Sequence, residues 1–219
     1  MGHGPMRRGR LRKVKDFITF PLRAFTLFHD DRWGLSSLAS ERFDYVASEV
    51  MGYCLDVGCG RNNRLINEYL GGHGKGVDVF RYEGLTEENL VEDLTRFPFP
   101  DSAFDSVTFI ANINHVPASK RDRELAEAYR VLKPTGNVVV TMGNPLAELA
   151  VHKVVWIYDR LFGTNLDVDS ERGMGEEEAY YLTDSEIVLR LTRAGFQRVT
   201  KRWFPTQWGF NHLFVGWKQ

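Results

Sequence analysis

The sequence predicts an α/β protein in which helices cover both faces of a doubly wound, mostly parallel β-sheet. Short apolar runs rich in β-branched residues alternate with segments whose apolar residues recur at helical spacing. The first apolar run ends in the glycine turn Asp56-Val57-Gly58-Cys59-Gly60, and the next one ends at Asp78. This order is typical of sheets that bind a ligand at the carboxyl ends of their strands.

Composition sets the broad class of the protein. A chain of 219 residues is long enough for one domain with a sizeable core, and its net charge of -1 argues against nucleic-acid binding through overall charge. No apolar run approaches the roughly 18 residues of a membrane span, and no signal-peptide pattern is visible. The two cysteines, Cys54 and Cys59, lack metal-ligand spacing, so we expect a reducing, cytoplasmic location and no metal site.

Residues 1–35 are predicted to form a basic amphipathic extension. Basic and apolar residues interleave there at Arg7, Arg8, Arg10, Leu11, Arg12, Lys13, Val14, Lys15, Phe17 and Ile18. Such a segment is compatible with peripheral contact to an anionic membrane surface. A solvated tail that leads into a helix packed on the domain is the favoured interpretation, and nucleic acid is the third.

The first βα unit follows this extension. Apolar residues at helical spacing predict a helix over Ser36–Val50, and a buried strand then runs from Tyr53 to Val57. Gly58 and Gly60 permit a sharp turn and the close approach of a ligand. A helix is predicted over Arg61–Leu70.

The second strand, Lys75–Phe80, carries the acid at Asp78. An acidic residue about 20 positions beyond a glycine turn accepts hydrogen bonds from ribose hydroxyls in nucleotide-binding sheets. An isolated Asp in this position is more often a turn residue. Because the glycine turn precedes it, we favour the ribose role.

The pattern then continues to the middle of the chain. It predicts strands over Leu90–Leu94, Phe104–Asn112 and Val138–Met142, and a helix from Ser119 to Leu132. The strand that ends at Asn112 is followed by polar residues, including His115.

Residues 144–182 interrupt this rhythm. An amphipathic helix followed by an acidic, glycine-containing loop over Asp167–Glu178 predicts an inserted helix and lid. A capped helix over residues 183–194 then leads to two final strands, Phe196–Phe204 and His212–Trp217.

In their order and spacing, these pieces resemble the class I S-adenosylmethionine-dependent methyltransferases, most closely the small-molecule type 11 group. The matching pieces are Leu55–Gly60, Gly76–Asp78, Glu92–Leu94, Phe97–Asp105, Tyr129–Gly136 and Ala194–Phe196. The resemblance implies a Rossmann-like sheet of seven strands, mostly parallel, with an antiparallel last strand. It places the methyltransferase domain at residues 36–219, with the insertion at 144–182.

The resemblance also implies S-adenosylmethionine as cofactor and a set of residues that bind it. The glycine turn would hold the methionine part, the second strand the ribose and the third the adenine, while the fourth supplies the floor of the site. The residues are Asp56, Gly58, Cys59, Gly60, Asp78, Val79, Asp93, Leu94 and Asn112. Arg61 and Asn62 depart from the small residues common after this turn.

A nicotinamide-binding domain is the physical alternative. It would prefer Gly-x-Gly-x-x-Gly, whereas position 63 is an asparagine. The acid two residues before the first glycine and the second acid at Asp93 favour the sulfonium cofactor.

Transfer of a methyl group from a sulfonium needs alignment and exclusion of water, and neither a metal nor a covalent residue. If the acceptor is a hydroxyl, His115 is the candidate general base, with a backbone-bonded His as the alternative. Candidate acceptor-lining residues, each of which packing would also explain, are His152, Tyr158, Tyr180 and Tyr181.

A missing motif and a second, looser resemblance limit the class of acceptor. Amino-methyltransferases of bases carry Asn/Asp-Pro-Pro-aromatic after the fourth strand, where this chain reads Asn112-Ile113-Asn114-His115. A looser resemblance of Phe20–Arg23 and Trp33–Leu38 is to uncharacterised methyltransferases associated with cell-surface polysaccharide genes. It favours O-methylation of a sugar or lipid-linked glycan. An RNA methyltransferase and a non-catalytic regulatory protein that binds the cofactor remain alternatives.

Overall fold

The computed structural model describes residues 9–27, 30–143, 160, 178 and 181–219. The predicted amphipathic helix of the insertion and nearly all of the predicted acidic loop lie outside the described residues. So do three of the four candidate acceptor-lining residues, His152, Tyr158 and Tyr180.

The centre of the fold is one mixed β-sheet. Its strands are β1 (Cys54–Val57), β2 (Gly74–Val77), β3 (Phe104–Ile110), β4 (Leu132–Gly143), β5 (Gln197–Trp203) and β6 (Asn211–Trp217). They lie in the order β2-β1-β3-β4-β6-β5. The first four strands are parallel, and β6 runs antiparallel to both of its neighbours. The predicted fold class, including the antiparallel last strand, is confirmed.

The sheet has six strands in the described part of the chain, where seven were expected. The predicted strand at Leu90–Leu94 is reduced to a single bridge between Asp78 and Leu90. The chain bends directly afterwards, because the Asp93 carboxylate accepts hydrogen bonds from the Thr95 N–H at 3.0 Å and the Thr95 hydroxyl at 2.7 Å. This local turn replaces the rest of the strand.

Five α-helices surround the sheet within the described residues. They are α1 (Arg10–Ile18), α2 (Phe20–Thr26), α3 (Leu38–Ala47), α4 (Ala118–Val131) and α5 (Asp184–Arg193). The helices predicted before β1, before β4 and before β5 are confirmed to within a few residues as α3, α4 and α5. Caps fix two of the starts: the Ser37 and Thr183 hydroxyls accept the N–H groups of Ser40 and Glu186.

The helix predicted over Arg61–Leu70 is not a regular α-helix. It consists of a 3₁₀ turn at Arg61–Asn63 and a π-helical turn at Leu65–Tyr69. Asn62 and Asn63 have φ angles of +60° and +46°, in the left-handed region that asparagine tolerates better than most residues. These two residues break the helix and reshape the chain immediately after the glycine turn.

The core is divided between the two faces of the sheet, as a doubly wound fold requires. On one face, Leu125 of α4 and Leu191 of α5 pack with strand residues such as Val107. On the other, Val46 of α3 and Leu65 of the π-helical turn pack with residues of β4 and β6. Helices on both faces therefore hold the carboxyl edge of the parallel strands in place.

Among the described helices, none combines the length and the apolar character that crossing a membrane requires.

Candidate active site

The glycine turn after β1 is fastened to the end of β2. The N–H groups of Gly58 and Cys59 both donate to the Val77 carbonyl, at 2.8 and 3.1 Å. The N–H of Gly60 donates to Oδ2 of Asp78 at 3.0 Å. The two motifs that the sequence singled out are thus joined by hydrogen bonds into one cradle, which we define as residues 56–60 with Asp78.

The two glycines of the cradle serve different purposes. Gly58 has a φ of +72°, and a Cβ there would lie 2.3 Å from the side chain of Asn112. Asn112 fills that space and donates from Nδ2 to the Val57 carbonyl at 3.1 Å. Gly60 has a φ of +60°, and its Cβ position has no atom within 4 Å. The turn therefore has one side packed against Asn112 and one open side that a ligand can approach.

Asp78 is positioned to accept hydrogen bonds from a ligand. The residue is 5% exposed, and Oδ1 accepts the Phe80 N–H at 2.9 Å while Oδ2 accepts Gly60. A carboxylate has about four acceptor positions, a number that suits the paired hydroxyls of a ribose. The neighbouring Val79 is 44% exposed and offers apolar surface beside it. This donor–acceptor chemistry fits the predicted nucleoside.

Asp56 is the more deeply buried of the two carboxylates of the cradle. It is 1% exposed, and its Oδ1 accepts the Thr108 hydroxyl at 2.6 Å. Burial is the main cause that raises the pKa of Asp56 to about 7; the Thr108 bond opposes this rise and the nearby Asp78 adds to it. Thr108 was missed by the sequence analysis, although a hydroxyl within an apolar strand is a signal of a buried polar contact.

The loop after β3 is held by a residue that sequence reasoning also missed. Arg121 of α4 is 3% exposed. Its guanidinium donates to the carbonyls of Ile113 at 3.2 Å, Asn114 at 3.1 Å and Val116 at 2.8 Å. It therefore fixes the loop that carries His115. The available signal was an arginine in the same helical phase as buried apolar residues of α4.

His115 lies beside a carboxylate. Its Nδ1 is 3.5 Å from Oε2 of Glu178, and both side chains are largely buried, with 20% and 10% exposed. The backbone N–H of His115 donates to the Asn112 carbonyl at 2.8 Å. Because Asn112 packs against the cradle, the backbone of His115 lies close to the cradle. Glu178 ends the predicted acidic loop, and the sequence analysis did not single it out as a site residue.

The remaining predicted site residues have other surroundings. Asp93 is half-exposed, and the hydrogen bonds from Thr95 hold its pKa below its usual value, with Lys120 at 3.7 Å. Leu94 is 5% exposed and belongs to the hydrophobic core. Tyr181 packs against the same core, as its alternative interpretation expects.

The described residues contain no group of three or more His, Cys, Asp or Glu side chains arranged to hold a metal ion. Cys54 and Cys59 are unpaired with each other and buried. Burial raises the pKa of both thiols. Because a reactive cysteine needs a lowered pKa, neither thiol is an activated nucleophile.

The chain matches a methyltransferase domain family over residues 55–140, the segment from β1 to β4. The ubiquinone/menaquinone biosynthesis C-methyltransferase UbiE of Paracoccus denitrificans is 30% identical over 138 residues, which cover 58% of this chain and 51% of that protein. The chain thus spans about half the length of the curated relatives it matches.

Solved structures share the fold. An S-adenosylmethionine-dependent methyltransferase of Methanosarcina mazei aligns with a TM-score of 0.52 and 24% identity, covering 80% of this chain and 96% of that one. One of Thermotoga maritima aligns with a TM-score of 0.59 and 17% identity, covering 95% and 97%. The methyl donor in the names of these proteins is the cofactor that the sequence predicted.

Proposed function

We propose that this chain, which carries a class I S-adenosylmethionine-dependent methyltransferase domain of the type 11 group, methylates a hydroxyl group of a small-molecule or glycan acceptor. The observation that carries the proposal is the cradle, in which the open side of the glycine turn and the buried carboxylate of Asp78 are hydrogen-bonded to each other. A glycine turn beside such an acid binds a nucleoside: the acid accepts the ribose hydroxyls, and the group attached to the ribose lies against the backbone of the turn.

The cofactor, when bound, supplies an electrophilic methyl group on a sulfonium that is a good leaving group. The residues of this chain do the binding and the alignment. Asp78 accepts the ribose hydroxyls, and the exposed Val79 covers part of the nucleoside. Gly60 lets the amino-acid portion lie against the turn, and Asn112 supports the turn from its packed side. Alignment of the acceptor with the methyl group in a water-poor site provides most of the rate enhancement.

His115 is the proposed general base. The Glu178 carboxylate lies 3.5 Å from Nδ1 and orients the ring, so we assign Nε2 as the atom that accepts the acceptor's hydroxyl proton. Arg121 positions this histidine by holding the three carbonyls around it. Neither residue is needed to bind the cofactor.

The leading acceptor is a sugar or lipid-linked glycan hydroxyl, on the strength of the looser sequence resemblance around residues 20–38. A carbon acceptor is the second candidate, because the curated relatives are named as C-methyltransferases. A hydroxylated ring that is methylated on carbon would lose its hydroxyl proton to the same base, so His115 serves both candidates.

Cofactor binding tests the first half of the proposal. Titration calorimetry of the full chain with S-adenosylmethionine and S-adenosylhomocysteine is expected to show micromolar binding. Asp78→Asn should weaken it by at least about tenfold, since ribose hydroxyls then lose a charged acceptor. Glu88→Gln changes an exposed neighbouring acid and is the matched control. Absence of binding by the wild-type chain would overturn the proposal.

Acceptor screening tests the second half. Transfer of an isotope-labelled methyl group to a panel of sugars, glycolipids and phenols, followed by NMR of the product, distinguishes a methyl ether from a carbon-bound methyl. Labelling of RNA would support the RNA alternative. A chain that binds the cofactor but labels no acceptor across a broad panel would support the regulatory alternative instead.

A further inference from the structure

Helix α1 is amphipathic, but its faces are reversed relative to the domain. Asp16 is completely buried, whereas Leu11, Val14 and Ile18 are 88%, 56% and 67% exposed. These three apolar residues have the i, i+3, i+7 spacing of a single helix face. A surface helix normally turns its apolar stripe toward the core. Here that stripe points away from the protein.

Charged groups on the buried side of α1 fix this reversed orientation. Arg23 of α2 is fully buried, is ion-paired with Glu41, and donates to the carbonyls of Asp16 at 2.6 Å and Ser36 at 2.7 Å. Asp16 in turn accepts the Ser36 hydroxyl at 2.7 Å. Rolling α1 over would expose this network and leave buried charges without partners, which is costly. The outward stripe is therefore a fixed feature of the fold.

Aromatic residues extend the exposed apolar surface. The indole N–H of Trp208 donates to the Phe17 carbonyl at 2.9 Å, and the two side chains are 51% and 49% exposed. Leu22 of α2, 50% exposed, continues the stripe on the other side. Amphipathic aromatic rings of this kind are enriched at the boundary between apolar lipid and water.

Cations lie along the same surface. Arg10, Lys13 and Lys15 are exposed on α1, where helical spacing places Arg10 and Lys15 on either side of the stripe and Lys13 farther round the helix. Beside them is an open groove of about 660 Å³, with Lys13 and Arg202 among apolar and aromatic lining residues. An exposed apolar stripe flanked by basic residues is complementary to an anionic lipid surface, in which apolar side chains enter the boundary and cations meet the headgroups.

We propose that the outer surface of the two N-terminal helices, defined as Leu11, Val14 and Ile18 of α1 and Leu22 of α2 together with the exposed basic residues of α1, binds the surface of an anionic lipid bilayer. The attachment is peripheral, and none of the described helices has the length and apolar character to cross the membrane. The stripe supplies the apolar contact, and the basic residues restrict binding to membranes that carry negative charge.

The position of α1 gives this attachment a consequence for the acceptor. Arg23 Nη1 donates to the Thr206 carbonyl at 3.2 Å, which ties the N-terminal helices to the connection between β5 and β6. That connection leads into Asn211, which pairs with Gly143 at the carboxyl end of β4. The N-terminal helices therefore lie near the carboxyl edge of the parallel strands, which is the edge that carries the cradle. If the proposed function holds, a membrane-bound chain presents this edge to acceptors with a lipid portion.

Vesicle sedimentation tests the proposal with the full chain. Wild-type protein is expected to bind vesicles of equal parts phosphatidylcholine and phosphatidylglycerol, and not vesicles of phosphatidylcholine alone. The triple variant Leu11→Ser/Val14→Ser/Ile18→Ser should reduce the partition coefficient at least about tenfold, because three apolar contacts are lost. Leu189→Ser, at a leucine of α5 that is 48% exposed, should not change it. Lys13→Glu should weaken binding most at low salt, and its difference from wild type should shrink as salt rises.

Three results would overturn the proposal: no binding of the wild-type chain to anionic vesicles, binding of the triple variant equal to wild type, or a change from dimer to monomer in the triple variant without an effect on vesicles. The last would assign the stripe to a second copy of the chain. Tight RNA binding that vesicles do not compete with would assign the basic residues elsewhere. Calorimetry with S-adenosylhomocysteine on the same variants distinguishes failure of the membrane proposal from failure of the proposed function. The affinity of the variants for S-adenosylhomocysteine should equal that of the wild-type chain, whatever the vesicle result.

Discussion

The carboxylates of the cradle and the carboxylates beneath α1 are equally buried, but they have different neighbours. Asp16 and Glu41 share the guanidinium of Arg23, which partly balances their two charges within the protein. Asp56 is bonded to the neutral hydroxyl of Thr108 and lies near a second carboxylate, and burial raises its pKa to about 7. Balanced burial fixes an element in place, whereas unbalanced burial leaves acceptor capacity for a ligand.

The strongest test of this contrast is Arg23→Met. The substitution leaves two acids in the core without their cation, so we expect the free energy of unfolding to fall by about 3–5 kcal/mol. Urea denaturation followed by circular dichroism measures it. Arg12→Met removes a part-exposed cation from its pair with Asp31 and is the matched control, with an expected loss of at most about 1 kcal/mol. Equal losses in the two variants would contradict the contrast.

The next test compares the two glycines of the cradle. Gly58→Ala combines a left-handed backbone with a Cβ 2.3 Å from Asn112, so we expect a loss of about 2–4 kcal/mol of stability. Gly60→Ala meets no protein atom within 4 Å and should cost only about 1–2 kcal/mol of backbone strain. Because its methyl group occupies the open side, it should weaken binding of S-adenosylhomocysteine more than its stability loss suggests.

The comparison is decided by two measurements on each variant, a melting temperature and a calorimetric affinity. Gly58→Ala should show the larger fall in melting temperature. A Gly60→Ala variant that binds the cofactor as tightly as wild type would show that the open side of the turn does not face the ligand.

The cradle and the network beneath α1 also differ in how much of each could be predicted from the sequence. The cradle was predicted from local spacing, because a glycine turn and an acid at the next strand end are fixed by the geometry of adjacent parallel strands. The fold class followed from the same alternation. The network beneath α1 was not predicted, since Arg23, Asp16 and Glu41 belong to three different helices. Nothing in their spacing reports that three helices converge.

The site itself shows the same division. Asp78 was predicted and is joined to Gly60, but the partners Thr108 and Glu178 come from distant parts of the chain and were not. The predicted third strand and the predicted helix after the glycine turn were wrong, because local side-chain and backbone preferences override the regular structure there. Thr95 bonds to Asp93 in place of a third strand, and two left-handed asparagines interrupt the helix after the turn. Such competition between side chain and backbone is not visible in apolar periodicity.

A third pair of carboxylates tests the contrast outside both regions, on adjacent turns of α4. Glu124 is 4% exposed with one carboxylate oxygen unbonded within the described structure, and burial, aided by Asp93, raises its pKa to about 7. Glu127 accepts hydrogen bonds from Arg130, which lower its pKa below the usual value.

The pH dependence of stability should therefore have opposite signs for the two residues. Between pH 4.5 and 7 the folded protein binds more protons at Glu124 than the unfolded chain does, so this residue's contribution to stability falls as pH rises through that window. Glu124→Gln should raise the free energy of unfolding by up to roughly 3 kcal/mol above pH 7 and by little below pH 4.5. Glu127 contributes stability above its unfolded pKa that is lost on acidification, so Glu127→Gln should destabilise at pH 7. Urea midpoints at pH 4.5 and pH 8 measure both, and a Glu124→Gln variant that is less stable than wild type at pH 8 would show that this buried carboxylate is balanced after all.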